Sequence, residues 1–148
     1  MSALYAVLNP VVKCLLRSPL HGLMSRNTMI VRYSGRRSGK TFEIPISYAV
    51  IDGALVGFTA REGRWWRNFE QGGSAQLLVA GSWRDATAEA LETGDTGVQT
   101  LLAGFLRAVP RDAAPAGVGM QGGEPVAADV TDAAGRLIAL RFHPKEAL

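Results

Sequence analysis

Apolar and polar positions alternate over residues 28–48, with Met29, Val31 and Tyr33 on one face and Ile30 and Arg32 on the other, around a middle that holds Gly35 and Gly39. β-Branched and aromatic flanks on a glycine-bearing centre predict a β-hairpin. Asp52-Gly53 is a strong turn signal between residues 47–51 and 54–60, so a third strand is expected to fold back on the second. Adjacent Trp65 and Trp66 cannot face the same side of a strand or a helix; one is expected in the core and the other on a cleft or the surface. Residues 75–80 read as a further strand, and Gly81-Ser82 turns into a weaker strand pattern over 83–91.

Helical spacing governs residues 96–108, where Val98, Leu101, Leu102 and Phe105 recur on one face, Asp95 is placed as N-cap and Pro110 follows the end. Residues 110–124 are rich in Gly, Pro and Ala, the composition of a mobile loop. Residues 125–134 read as a short helix starting at Pro125 in preference to a hairpin strand, and 136–142 as the final strand. The first 24 residues are apolar with Lys13 and Arg17 one turn apart, Asn9 as N-cap, Pro10 at the first helical position and Pro19 ending or kinking the run. The apolar stretch before Lys13 is too short to span a bilayer and lacks the cationic start of a signal peptide. It predicts an amphipathic helix, preferred as a lid on the core, with an interfacial membrane contact as the alternative.

These elements, in a chain of 148 residues, imply one domain over residues 1–148. The expected fold class is α+β, a small closed or partly closed antiparallel barrel with helices at its ends.

Charge changes the picture through its distribution. Seven of the sixteen cations precede the first acidic residue, Glu43, whereas the remaining nine face all thirteen carboxylates. An anionic partner is therefore expected for the N-terminal part. The single cysteine, Cys14, excludes an internal disulfide, and neither His21 nor His143 joins a group with metal-ligand spacing, so no metal site is expected and a reducing, cytoplasmic setting is. No Ser/His/Asp, Cys/His or paired-carboxylate arrangement marks a catalytic residue.

The candidate chemistry sits on the hairpin tip, Gly35-Arg36-Arg37-Ser38-Gly39-Lys40. Backbone N–H groups and clustered cations suit an anion, because charge-assisted hydrogen bonds to phosphate are about twice as strong as neutral ones. Taken alone, the favoured reading of such a loop is a solvated basic turn. A nucleotide-binding P-loop is excluded: three residues, not four, separate Gly35 from the Gly-Lys pair, and Pro45 blocks the helix that should follow.

Gly-Arg-Arg-Ser-Gly-Lys, Pro45-Ile46, Asp52-Gly53, a strand and Trp65-x-x-Asn68, in that order, resemble the deazaflavin-dependent nitroreductase family of the flavin/deazaflavin oxidoreductase superfamily, over roughly residues 29–91. The resemblance implies a split β-barrel and coenzyme F(420), a deazaflavin with a phosphate and a polyglutamate tail. It implies phosphate contacts from Arg36, Arg37, Ser38 and Lys40 on the Gly35–Lys40 loop, which also holds Gly39, and ring contacts at Pro45, Ile46, Thr59 and Ala60. Trp65 and Asn68 would border the cofactor, with Trp65 near the substrate. Family members close the substrate pocket with C-terminal tyrosines, and this chain has no Tyr after Tyr48, so Phe105, Met120 and the Gly-rich loop are expected to cap the site instead.

The preferred reading is a deazaflavin-dependent reductase passing hydride to a quinone-like or other conjugated small-molecule acceptor, with FMN the less favoured cofactor and heme left open. The alternative is a non-catalytic barrel that binds a lipid or a cofactor. A nucleic-acid binder is set aside, because the central hairpin has no aromatic ladder for base stacking. Both a monomer and a homodimer remain compatible with the sequence.

Overall fold

The computed structural model describes residues 27–91 and 96–146. The N-terminal helix with Lys13 and Arg17, Cys14, His21 and the Asp95 cap lie outside the described residues.

Among the described residues, nine strands and two α-helices follow in chain order: β1 Thr28–Ser34, β2 Thr41–Ser47, β3 Ala49–Ile51, β4 Ala54–Ala60, β5 Gly73–Val79, β6 Ser82–Leu91, α1 Thr96–Ala108, β7 Met120–Gln121, β8 Glu124–Pro125, α2 Ala127–Ala134 and β9 Leu137–Pro144. Short 3-10 turns occupy Trp65–Phe69 and Pro110–Asp112. Seven strands form one antiparallel sheet in the order β2-β1-β5-β6-β9-β4-β3. The first hairpin has the expected register, from Thr28 opposite Ser47 to Ser34 opposite Thr41. Asp52 and Gly53 take φ of 52° and 80°, the pair of positive values that matches a two-residue turn to the twist of its strands.

β4 folds back on residues 49–51 through the Asp52-Gly53 turn as expected, but those residues do not continue the second strand of the hairpin. Residues 41–51 are interrupted at Tyr48: β2 pairs with β1, β3 pairs with β4, and the two halves lie on opposite edges of the sheet. A chain that passes from one edge to the other in a single residue draws those edges together, so the sheet curls into a barrel that is open between β2 and β4. Pro45, which has no N–H to give a ladder, is tolerated because β2 is an edge strand. The close approach of β2 to β4 also requires Gly57, since a Cβ there would meet Ile46 Cδ1 at 2.9 Å and the Ser47 carbonyl at 3.0 Å.

Side-chain alternation sorts the core into two main clusters, with Ile30 and Leu78 under Trp83 as a small third. Met29, Val31 and Tyr33 of β1, Leu55, Leu77, and Ile138, Leu140 and Phe142 of β9 fill the barrel, with Trp66 and Phe69 of the 3-10 turn packed into the same cluster. Outside it, Ala139 of β9 and Ala49 pack against Val98, Leu102, Phe105 and Leu106 of α1 and Val130, Ala133 and Ala134 of α2. Helix α1 spans the residues its apolar spacing predicts.

The composition of residues 110–124 misleads about their structure. Ala113 and Val118 are buried, the Val118 N–H donates to the Ala113 carbonyl at 2.9 Å, and Met120 pairs with Pro125 across a turn made by Gly122 and Gly123, at φ 59° and 80°. Pro125 closes this small hairpin, and α2 starts two residues later than expected.

Candidate functional site

Two of the cavities beside the Trp65–Phe69 turn gather the residues singled out in the sequence. The first, of about 680 Å³, lies at the tip of the first hairpin and is lined by Gly35, Arg36, Arg37 and Ser38 with Glu62, Arg64, Arg67 and Asn68. The tip is held by two backbone hydrogen bonds, Gly35 N–H to the Lys40 carbonyl and Gly39 N–H to the Gly35 carbonyl, each 2.8 Å. Asn68 fixes it to the turn: its Oδ1 accepts from the Arg36 N–H at 2.8 Å, while its Nδ2 donates to the Trp65 carbonyl at 2.8 Å. Among the described residues, Arg36 and Arg37 have no carboxylate partner, and the Arg37 and Ser38 N–H groups have no protein acceptor. Unengaged N–H groups beside two guanidinium forks form a donor set suited to phosphate.

The second cavity is an apolar groove of about 320 Å³ where the barrel is open. Pro45 and Ile46 of β2, Thr59 and Ala60 of β4, Trp65, and Phe105 of α1 line it, together with Leu102, Leu106, Asp112 and Leu137. Trp65 is half-buried, whereas Trp66 is buried and donates its Nε1–H to the Arg61 carbonyl at 3.1 Å, the division of labour expected for adjacent tryptophans. The Trp65 ring lies 5.9 Å from Tyr33 and 6.3 Å from Phe69, and its Nε1–H donates to Thr59 Oγ1 at 2.9 Å. With its one polar atom so engaged, Trp65 presents apolar ring to the groove.

The residues expected at the site thus fall into two sets. Gly35, Arg36, Arg37, Ser38 and Asn68 surround the loop cavity; Pro45, Ile46, Thr59, Ala60, Trp65 and Phe105 surround the groove. Gly39 and Lys40 belong to the loop but not to the cavity lining, and Met120 lines neither cavity because β7 packs it on the outer cluster beside α1 and α2. Glu62, Arg64 and Arg67 were not anticipated as cavity residues. The charged run Arg61-Glu62-Gly63-Arg64 ahead of the tryptophans was the available signal, and only the fold of the turn brings it opposite the loop.

Arg32, counted in sequence among the uncompensated cations, is compensated. It faces Glu43 across the hairpin, with Nε and Nη2 each 2.9 Å from Oε2, and its guanidinium lies 3.7 Å from the Trp83 ring centroid. Among the described residues no cluster of His, Cys, Asp or Glu could hold a metal ion, and no helix is long and apolar enough to cross a membrane.

No protein-family model matches the chain, and no curated protein matches it in sequence. Solved structures do resemble it. A conserved hypothetical protein from Mycobacterium tuberculosis matches with a TM-score of 0.55 at 13% identity, over 99% of this chain and 82% of that one. A pyridoxamine 5'-phosphate oxidase-related, FMN-binding protein from Nostoc punctiforme matches with a TM-score of 0.55 at 12% identity, over 97% and 81%. A FAD and heme binding protein from Mycobacterium smegmatis matches with a TM-score of 0.51 at 14% identity, over 79% of this chain and 60% of that one. At these identities the likeness establishes the fold, an α+β split β-barrel of the FMN-binding type.

Proposed function

We propose that the protein binds a flavin-type redox cofactor, a deazaflavin of the coenzyme F(420) kind in preference to FMN, and passes a hydride to a conjugated small-molecule acceptor. The observation that carries this reading is the pairing of an apolar groove with an arginine-lined cavity on the two sides of one short turn, joined through the Asn68 side chain. A ring system with a phosphate-bearing chain has that distribution of apolar and anionic parts. Arg36 and Arg37, with the Arg37 and Ser38 N–H groups, would hold the phosphate, and Pro45, Ile46, Thr59 and Ala60 would flank the ring. The cofactor supplies the hydride chemistry, so the protein need only position it and shield it from water. Trp65 would narrow the groove beside the ring and Phe105 would close its α1 side. Flavin binding by split barrels of the same fold supports the cofactor class.

Titration of the apo-protein with coenzyme F(420), FMN and heme, followed by quenching of tryptophan fluorescence, tests the reading. The expected result is tightest binding of the deazaflavin, with reduction of a quinone acceptor by the loaded protein. Equal or tighter binding of FMN overturns the choice of cofactor, and a loaded protein without turnover overturns the reductase.

A further inference from the structure

A third cavity, of about 890 Å³, opens beside the groove, and Ala60, Pro115, Ala116 and Leu137 line both. The apolar groove therefore runs on into it over a shared floor, and the character of the wall changes on the way. Arg61 and Arg136, next in sequence to Ala60 and Leu137, line this cavity and not the groove, and the Arg61 N–H donates to the Arg136 carbonyl at 3.0 Å. The Trp66 indole, donating to the Arg61 carbonyl, further fixes that backbone.

The two cations differ in how they are engaged. Arg136 Nη2 donates to the Ala116 carbonyl at 3.0 Å and pairs with Asp132 at 3.3 Å, so it is anchored. Arg61 is exposed, with no carboxylate partner among the described residues. Of the remaining charges on the wall, Arg67 and Glu70 pair with each other at 3.7 Å and Glu62 sits on the rim shared with the loop cavity. With Arg67 held by Glu70 and Arg136 by Asp132, Arg61 is the arginine of this wall with no carboxylate partner among the described residues. One unengaged guanidinium suits a single negative charge, and a carboxylate fits its fork with both oxygens.

We propose that this cavity is a carboxylate subsite, so that the small-molecule partner of the groove is an acid with an apolar, conjugated body lying over Ala60 and Leu137 and its carboxylate on Arg61. The assignment of that partner as hydride acceptor rests on the function proposed above; the subsite itself does not.

Isothermal titration of the full chain without cofactor, using 2-naphthoate and the neutral 2-naphthamide, separates the two. Naphthoate should bind about tenfold more tightly than the amide. Arg61→Ala should remove most of that preference without altering amide binding or the melting temperature, and Arg61→Lys should restore part of it. An Arg36→Ala/Arg37→Ala double variant should bind naphthoate as the wild type does. Equal binding of acid and amide, an equal loss of both in Arg61→Ala, or loss of naphthoate binding in the loop variant overturns the subsite. Retained naphthoate preference in a protein that binds neither deazaflavin nor FMN would overturn the cofactor reading alone.

Discussion

The stem and the tip of the first hairpin carry the same residue type to opposite ends. In the stem, Arg32 lies directly across from Glu43, spends its charge on that carboxylate and stacks on Trp83. At the tip, Arg36 and Arg37 form no ion pair among the described residues and face a cavity. The difference follows from strand geometry. Residues opposite one another in a ladder are held within pairing distance whether or not a ligand is present, whereas residues in a turn have no partner assigned by register. A run of positive charge in a sequence therefore overstates what is available to a ligand, by the number of its members that lie in strands.

The sharpest way to break this contrast is to remove the tip charges. Each of Arg36→Ala and Arg37→Ala should cost about 1.5–3 kcal/mol of cofactor binding, roughly ten- to a hundredfold in affinity, as read by fluorescence titration. The Arg36 N–H to Asn68 bond is a backbone donation and survives both changes, so stability should shift by less than about 0.5 kcal/mol. Arg37→Lys should recover only part of the loss, because lysine lacks the planar fork. Added salt should weaken the wild type more than the double variant, since screening acts on contacts the variant lacks. Unchanged affinity of the double variant at low salt would make the tip a solvated turn.

The stem should respond in the other observable. The Arg32 and Glu43 side chains are only 31% and 16% exposed, so Arg32→Ala removes a largely covered ion pair and also uncovers Trp83. A loss of about 1 kcal/mol in urea denaturation is expected, with cofactor affinity unchanged. A fall in affinity without a fall in stability would mean that Arg32 belongs functionally with the tip.

What the sequence disclosed, and what it withheld, follows the same physics. Turn chemistry was legible at Asp52-Gly53, helical period at 96–108, and the opposed burial of Trp65 and Trp66, since each is decided within a few residues. Period two placed Met29, Val31 and Tyr33 on one face, which fills the barrel. It could not say that β2 and β3 part at Tyr48 to opposite edges, because alternation identifies faces and not partners. Pairing across the chain hid the neutralisation of Arg32 by Glu43 and the arrival of Arg64 and Arg67 opposite the loop. Residues 110–124 looked mobile because glycine and proline serve ordered tight turns as readily as loose ones.

The smallest effect is expected at a second stem-like pair, where the contrast can be tested by pH. Glu89 of β6 lies opposite Arg141 of β9, whose Nε is 2.8 Å from Oε1, and His143 Nε2 is 3.4 Å from the same oxygen. Burial alone would raise the Glu89 carboxyl above its ordinary value of 4.5, but hydrogen bonds and charge from Arg141 and His143 outweigh it and bring the carboxyl lower. A folded-state value below the unfolded one means that the pair's contribution is fully present above 4.5 and is lost as pH falls through the depressed folded value. Because Glu89 and Arg141 are 42% and 36% exposed, solvent screening limits that contribution to about 0.5 kcal/mol. Urea midpoints of the wild type and Glu89→Gln should therefore differ by a small amount at neutral pH and converge as pH falls below 4.5. High salt should shrink the gap at neutral pH, as it should not for the more covered Arg32–Glu43 pair. Two curves that stay parallel down to pH 3 would show that Glu89 contributes packing and not charge, and that register alone does not make a pair electrostatic.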